Sequence, residues 1–232
     1  MCVIFSPDCS YSIRLLDKLT KLSDEKNISL DFELIKKAIT FAKKYHDGQY
    51  RKSGEPFYSH PLEVAYMVSE YNLKTDIIIT SILHDVVEDS EATVGMIVDE
   101  FSWRVAEMVD MLTRDRPDGT KLSVETILNN AYEKNDNEVL LIKVLDRLHN
   151  MQTIGAKKPE KQKKQLFQTI KSFLILSIYL EKKNIDSIIY QSCKDLNFQL
   201  HAPLNLPDQM KFCYDNFALY SLPKIQNDLL LS

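Results

Sequence analysis

Residues 80–90 read TSILHDVVEDS. Four ionisable side chains lie in this otherwise largely apolar stretch: His84, Asp85, Glu88 and Asp89. Three isoleucines precede it at 77–79, so the helix predicted at about 76–89 is apolar on nearly every side, and such a helix is normally buried. Carboxylates and an imidazole are costly to bury unless they are paired or bind a metal. The stretch therefore predicts a buried helix that lines a metal site.

The rest of the chain predicts an all-α fold. Its 232 residues suffice for a full-sized domain with a real core, and five glycines among them argue against a turn-rich β architecture. No segment has a convincing alternating strand pattern. Asp31 is a plausible N-cap for the first helix of the main body, which should end near Asp47 and Gly48. The apolar spacing predicts helices at about 32–46, from 60 onward, 94–112, 122–134, 137–155 and 160–182.

Three regions are expected along the chain. Residues 1–30 form an N-terminal helical extension, and residues 31–196 form the main helical domain. Residues 197–232 form a C-terminal tail, in which a short amphipathic piece at 210–219 is expected to pack on the body.

Composition and charge limit the kinds of molecule that the protein is expected to bind. The net charge of −4 does not attract nucleic acid or an anionic membrane, so an anionic substrate needs a local basic cluster. Four scattered cysteines without a CxxC pair make neither a disulfide framework nor a thiolate zinc site. The start of the chain lacks the features of a signal peptide, and the apolar run 173–180 is too short to cross a bilayer. A soluble, cytoplasmic protein is expected, and its oligomeric state stays open.

Four residues are candidate metal ligands: His60, His84, Asp85 and Asp146. A mixed imidazole and carboxylate set suits Mn, Fe or Zn better than Ca or Mg alone. Each residue taken singly has an ordinary structural explanation, such as a core histidine or a salt bridge within the Asp146-Arg147 pair. Their combination in apolar helices is what favours a metal site.

A polar stripe accompanies the last of these ligands. Asp146, Asn150 and Thr153 recur at spacings of four and three in a second, mostly apolar helix. We expect this stripe to face the His84 helix across a shared cavity.

Three separated stretches carry a family resemblance. They are HDGQYRKSGEPFYSHP (46–61), HDVVEDS (84–90) and KVLDRLHNM (143–151). In order and spacing they resemble the HD-superfamily hydrolases, and most of all the hydrolase domain of RelA/SpoT homologues, which degrade the alarmone (p)ppGpp. The resemblance covers roughly residues 31–182.

The resemblance implies a helical HD-domain bundle and a reaction. One Mn²⁺ would be held by the four candidate ligands, and Glu88 and Asp89 would serve the attacking water. The reaction would release the 3′-pyrophosphate of guanosine 3′,5′-bis(diphosphate), ppGpp or pppGpp, and give GDP and pyrophosphate from ppGpp. Contacts to nucleotide and phosphate would come from positions on two segments: Arg51, Lys52, Asn150 and Thr153. Only 50 residues follow residue 182, so a stand-alone small alarmone hydrolase is expected.

Physical chemistry agrees with these roles but leaves alternatives. Arg51 and Lys52 supply the basic cluster that an acidic protein needs, although a solvated loop is the alternative. In the loop 113–121, Arg114, Arg116 and Lys121 are either substitute phosphate contacts or simply exposed charges. Gln152 stands where relatives usually carry an arginine.

Two other functions also fit the sequence: an HD-type phosphohydrolase for another nucleotide, and a non-catalytic module that binds the alarmone. Three histidines are predicted to be dispensable for metal binding: His46, His149 and His201.

Overall fold

The computed structural model describes residues 9–182, 184–201, 206 and 208. Regular structure within these residues is helical, and two isolated β-bridges close short loops, one between Tyr50 and Pro56 and one between Asp115 and Lys121. The predicted all-α class is confirmed. The chain divides into two compact units, with the boundary between Ile127 and Leu128.

Seven helices lie wholly in the first unit: α1 (Ser10–Lys26), α2 (Phe32–Tyr45), α3 (Ser59–Val68), α4 (Thr75–Leu83), α5 (Val86–Asp89), α6 (Val94–Glu100) and α7 (Trp103–Leu112). Helix α8 (Val124–Glu133) contains the boundary. The second unit continues with α9 (Asn137–Gln152), a 3₁₀ turn (Ile154–Ala156), α10 (Pro159–Gln168), a π-helical turn (Thr169–Phe173), α11 (Leu174–Tyr179) and α12 (Ile185–Gln199).

Side-chain caps fix several helix starts. Leu34 N–H donates to the Asp31 carboxylate at 2.9 Å, which confirms the cap predicted for α2. Ser102 accepts from the backbone N–H of Val105 in the same way at the start of α7. The equivalent caps of α6 and α9 are Thr93 and Asp136. Helix α2 ends at Tyr45 with His46 as its C-cap, shortly before Gly48 adopts the left-handed conformation with φ +71°.

Helix α4 is the buried element of the first unit. All three isoleucines at 77–79, together with Ile82 and Leu83, have no exposed surface. The helix packs against α2, α3 and α7, which surround its apolar faces. Burying each such side chain contributes about 1.5–3 kcal/mol to folding. The prediction of burial from all-round apolarity is therefore confirmed.

Helix α1 lies in the predicted N-terminal extension and packs on α3. Leu15 and Leu19 are fully buried. Lys18 reaches over α3, where its Nζ donates to the Tyr66 carbonyl at 2.9 Å and lies 3.6 Å from the centre of the Tyr66 ring. An apolar stripe and a cation–π contact thus attach this helix to the first unit.

Three predicted helices are interrupted. The helix predicted at 76–89 breaks at His84 and Asp85, which separate α4 from α5. The helix predicted at 94–112 breaks before Ser102, because Ser102 is extended and caps a new helix. The helix predicted at 160–182 contains the π-helical turn, where the Thr169 hydroxyl donates to the Gln165 carbonyl at 2.7 Å. Side-chain hydrogen bonds that compete with the backbone explain the latter two interruptions.

The predicted C-terminal tail, 197–232, lies largely outside the described residues, and its amphipathic piece at 210–219 lies wholly outside them. Among the helices that are described, none combines the length and the apolarity required to cross a bilayer.

Candidate functional site

Three of the candidate ligands meet in the first unit. His60 lies in the first turn of α3, while His84 and Asp85 occupy the break between α4 and α5. His60 Nε2 is 3.5 Å from one carboxylate oxygen of Asp85, and His84 Nε2 is 3.2 Å from the other. The two imidazole rings lie edge to face, with centroids 5.3 Å apart. Two ring nitrogens and a carboxylate therefore face one small volume.

The backbone fixes the tautomer of His84. Its Nδ1 lies 2.8 Å from the Ser81 carbonyl oxygen, which can only accept, so Nδ1 carries the hydrogen and donates. In the neutral imidazole, Nε2 then presents its lone pair towards Asp85. Metal-binding histidines are commonly oriented by such a bond from the other nitrogen.

The helix break at His84 and Asp85 lies where the two imidazoles and the carboxylate converge. On an unbroken helix, adjacent side chains point about 100° apart. Here Asp85 leaves the helical ladder at φ −99° and ψ −8°, and its carboxylate turns back to both imidazoles. His60 and His84 are 4% and 2% exposed. Buried imidazoles beside a carboxylate fit a borderline divalent metal ion.

Glu88 lies on α5, one turn after these ligands, and is held by the loop 113–121. Its Oε1 is 3.0 Å from Lys121 Nζ, and its Oε2 accepts a hydrogen bond from the backbone N–H of Arg114 at 3.1 Å. Lys121 also pairs with Asp115 at 2.7 Å. Hydrogen bonds to Asp115 and then to Glu88 raise the pKa of Lys121. The lysine is exposed, but its charge is engaged by the protein's own carboxylates.

Arg116 of the same loop is bound to α7. Its guanidinium donates to the Asp110 carboxylate at 2.9 Å and to the Thr113 carbonyl at 2.9 Å. These bonds hold the arginine against the end of α7, which agrees better with a structural role than with a phosphate contact.

Asp89 carries a perturbed carboxyl group at the end of α5. Desolvation raises its pKa, and the charges of Asp85 and then Glu88 raise it further, to about 6. The residue is exposed overall, so its side chain is reachable while its carboxyl group is partly stripped of water. Such a group can exchange a proton near neutral pH.

The basic pair lies on the loop between α2 and α3. Arg51 is half-buried and Lys52 is exposed. The loop is closed by the backbone, with Arg51 N–H donating to the Glu55 carbonyl at 2.8 Å. A defined turn therefore presents both cations.

Two polar residues that follow α2 were not assigned to the site from the sequence. His46 is buried, with 1% exposure, and its ring packs on Phe57 at a centroid distance of 4.7 Å. Gln49 donates from Nε2 to the Asp89 carbonyl at 2.8 Å, while its Oε1 is 2.9 Å from His46 Nδ1. The HDGQ segment alone indicated a helix end, and only its contact with α5 places it beside the metal ligands.

The remaining candidates belong to the second unit. Asp146 is buried on α9, pairs with Lys143 at 3.1 Å and accepts a hydrogen bond from the Asn150 amide at 2.5 Å. Thr153 caps the end of α9 and donates to the His149 carbonyl at 3.0 Å. Asp146 and Asn150 thus form a hydrogen-bonded pair on α9.

The other sequence-based detail in this unit concerns Arg147. It donates to Gln168 at 2.8 Å and lies 4.4 Å above the Phe173 ring. These contacts hold Arg147 against the segment that contains the end of α10 and the π-helical turn.

The chain is similar to a known family and to several known proteins. The family model described as an HD domain matches residues 38–173. A GTP pyrophosphokinase of Myxococcus xanthus is 33% identical over 192 residues, which are 75% of this chain and 25% of that protein. A guanosine-3′,5′-bis(diphosphate) 3′-pyrophosphohydrolase of Haemophilus influenzae is 32% identical over 167 residues, 70% of this chain and 24% of that protein.

A third relative is the bifunctional (p)ppGpp synthase/hydrolase SpoT of Escherichia coli. It is 32% identical over 146 residues, 60% of this chain and 20% of that protein. A solved structure described as a metazoan orthologue of SpoT that hydrolyses ppGpp has a TM-score of 0.48 and 19% identity, covering 81% of this chain and 97% of that one.

The chain spans about a quarter of the length of the curated relatives that it matches. The HD-domain match nevertheless covers more than half of its residues and includes the HisAsp pair at 84–85. The chain belongs to the HD-domain family, among its RelA/SpoT members.

Proposed function

We propose that this protein hydrolyses guanosine 3′,5′-bis(diphosphate), releasing its 3′-pyrophosphate and GDP. One observation supports this most directly: a ligand-competent cluster of His60, His84 and Asp85 stands one turn before two carboxylates, in a chain 32% identical to a protein named for that reaction. We place the activity in the cytoplasm, with ppGpp or pppGpp as its small-molecule partner.

The metal of the proposal is Mn²⁺. His60, His84 and Asp85 would hold it, with Asp146 of the second unit as the fourth ligand. A bound divalent ion lowers the pKa of water and polarises a phosphoryl oxygen. The tautomer that the Ser81 carbonyl imposes on His84 supports this assignment, because it leaves the lone pair of Nε2 available to coordinate a metal ion.

Asp89 and Glu88 act on the attacking water in two different ways. Asp89, with its pKa raised to about 6, accepts a proton as the water oxygen forms its bond to phosphorus. The bond between that phosphorus and the ribose 3′ oxygen breaks, and the 3′ oxygen takes up a proton. Glu88, held by the Arg114 backbone N–H and by Lys121, orients the water.

Recognition of the nucleotide is assigned to four residues from both units: Arg51, Lys52, Asn150 and Thr153. Arg51 can bind phosphate bidentately or stack on a base, whereas Lys52 provides an exposed point charge. The closed turn around Arg51 favours this role, because it lowers the entropy lost when the loop meets a ligand.

A substrate comparison tests the proposal. Purified protein with Mn²⁺ should convert ppGpp to GDP and pyrophosphate in a single turnover, with GTP, ATP and NADPH turned over much more slowly. Preferential turnover of another nucleotide would identify that nucleotide, and not ppGpp, as the substrate. Tight ppGpp binding without any turnover would indicate a binding module.

Two variants test the carboxylates in the same assay. Glu88→Gln and Asp89→Asn should keep metal affinity while losing about 100-fold or more of the rate, the usual scale of proton-transfer catalysis. Wild-type kinetics in both would remove these residues from the mechanism.

A further inference from the structure

Gln49 links the substrate loop to the catalytic helix. Its main chain accepts a hydrogen bond from Phe57 N–H at 2.9 Å, which closes the base of the loop that carries Arg51 and Lys52. Its side chain donates to the carbonyl of Asp89, the last residue of α5. One residue thus binds both the loop that presents the cations and the helix that presents the carboxylates.

The same side chain determines the tautomer of His46. A carbonyl oxygen only accepts, so the amide nitrogen of Gln49 must face Asp89, and its amide oxygen must face His46. That oxygen also only accepts. His46 Nδ1 therefore carries the hydrogen, and in the neutral imidazole Nε2 is a bare acceptor.

Nε2 of His46 is buried and has no hydrogen-bond partner among the described residues. A buried acceptor without a donor is costly, so a donor such as water or a ligand is expected there. The site lies nearby: after desolvation and the Gln49 bond, the charges of Asp85, His84 and His60 are the next influences on the pKa of His46. Burial lowers this pKa, which favours the neutral imidazole.

We propose that His46 and Gln49 are positioning residues, in which Nε2 of His46 accepts a hydrogen bond from a water molecule of the metal centre and Gln49 holds both the imidazole and α5 in place for it. Their contribution to hydrolysis rests on the proposed function. Their hydrogen bonding does not, because the tautomer and the buried acceptor follow from contacts within the protein itself. The assignment leaves the metal ligands unchanged and agrees with His46 being dispensable for metal binding.

The first experiment measures the tautomer directly. Long-range ¹H–¹⁵N correlation spectra of the metal-free protein at neutral pH should show His46 as the Nδ1–H tautomer. In Gln49→Met, which removes both side-chain bonds, this preference should be lost. A His46 that is the Nε2–H tautomer in the wild-type protein would overturn the proposal whatever the protein hydrolyses.

The second experiment separates positioning from simple structural support. In His46→Asn the amide nitrogen can replace Nδ1 as the donor to Gln49, but no acceptor remains at the place of Nε2. We expect kcat to fall about 10- to 100-fold, the usual cost of losing an outer-shell partner, with KM and Mn²⁺ affinity within about threefold of wild type. Gln49→Met should lower kcat similarly, whereas Gln191→Met, at an exposed glutamine bonded to Asp195 on α12, should not.

Wild-type kcat in His46→Asn would show that only the Gln49 contact matters and would refute the role of Nε2. A loss of Mn²⁺ affinity as large as the loss of kcat would make His46 a metal ligand instead and would also refute the positioning role. If the wild-type protein hydrolyses none of the nucleotides tested, the proposed function fails, while the tautomer measurement still decides the hydrogen bonding.

Discussion

Single polar atoms orient the candidate metal ligands. The Ser81 carbonyl selects the tautomer of His84, and the Asp85 carboxylate divides its two oxygens between two imidazoles. Neither effect depends on residue type alone. Each requires an atom held within hydrogen-bond distance by the break between α4 and α5.

Asp85→Ala should abolish metal binding and turnover together, because it removes the carboxylate whose two oxygens face the imidazoles of His60 and His84. Titration calorimetry with Mn²⁺ should show a loss greater than the roughly 10- to 100-fold typical of outer-shell changes. Asp17→Ala, at an exposed position on α1, is the matched control. Full Mn²⁺ affinity and activity in Asp85→Ala would rule out the ligand assignment.

Asp89 should make the metal-free protein less stable as the pH rises. Its pKa is about 6 in the folded state against 3.8 for the ordinary group, so the folded state holds the proton more tightly. Its unfavourable contribution therefore appears as the pH passes from about 3.8 to about 6 and is fully present above that range.

The free energy of unfolding of Asp89→Asn, relative to that of the wild-type protein, should consequently rise as the pH is raised from 4.5 to 7.5. Because the side chain is exposed and solvent screens its charge, we expect a gain below about 1 kcal/mol. Urea unfolding of both proteins at the two pH values measures it. A variant that loses relative stability at the higher pH would contradict the direction of the shift.

At the scale of elements, apolar spacing determines which helix faces are buried. Helix α4 is apolar all round and is enclosed by three helices, whereas α1 has one buried stripe and an exposed remainder. The interruption between α4 and α5 does not follow from apolar spacing. At this break the Asp85 carboxylate lies close to the imidazoles of His60 and His84.

Leu19→Ala should destabilise the protein by about 2–5 kcal/mol, because it opens a cavity where α1 packs on α3. Ile13→Ala, on the same helix at a residue that is 50% exposed, should change stability by less than about 0.5 kcal/mol. Chemical denaturation measures both. Similar losses in the two variants would show that α1 is not held by its buried stripe.

At the scale of the whole molecule, the proposed ligands come from both compact units. His60, His84 and Asp85 belong to the first, and Asp146 belongs to the second. The HD-domain match likewise includes parts of both. Metal binding should therefore stabilise the chain as a whole if Asp146 is the fourth ligand.

Mn²⁺ at about 100 times its Kd should stabilise the wild-type protein by about 2.7 kcal/mol, equivalent to a rise in Tm of several degrees. Asp146→Asn should retain less than half of this rise, and Asp195→Asn, on the exposed face of α12, should retain all of it. Calorimetric scans with Mn²⁺ and with a chelator give the difference. An undiminished rise in Asp146→Asn would exclude it as a ligand.

Local sequence determined the helical class, the start of α2 at its Asp31 cap and the burial of α4. These features depend on side-chain spacing and on bonds between residues a few positions apart, which the sequence displays directly. Tertiary structure alone decided that Lys121 and the Arg114 backbone hold Glu88, and that Gln49 reaches the Asp89 carbonyl. Those contacts join residues 26 to 40 positions apart, and they form only after the chain has folded back on a packed core, which no local pattern encodes.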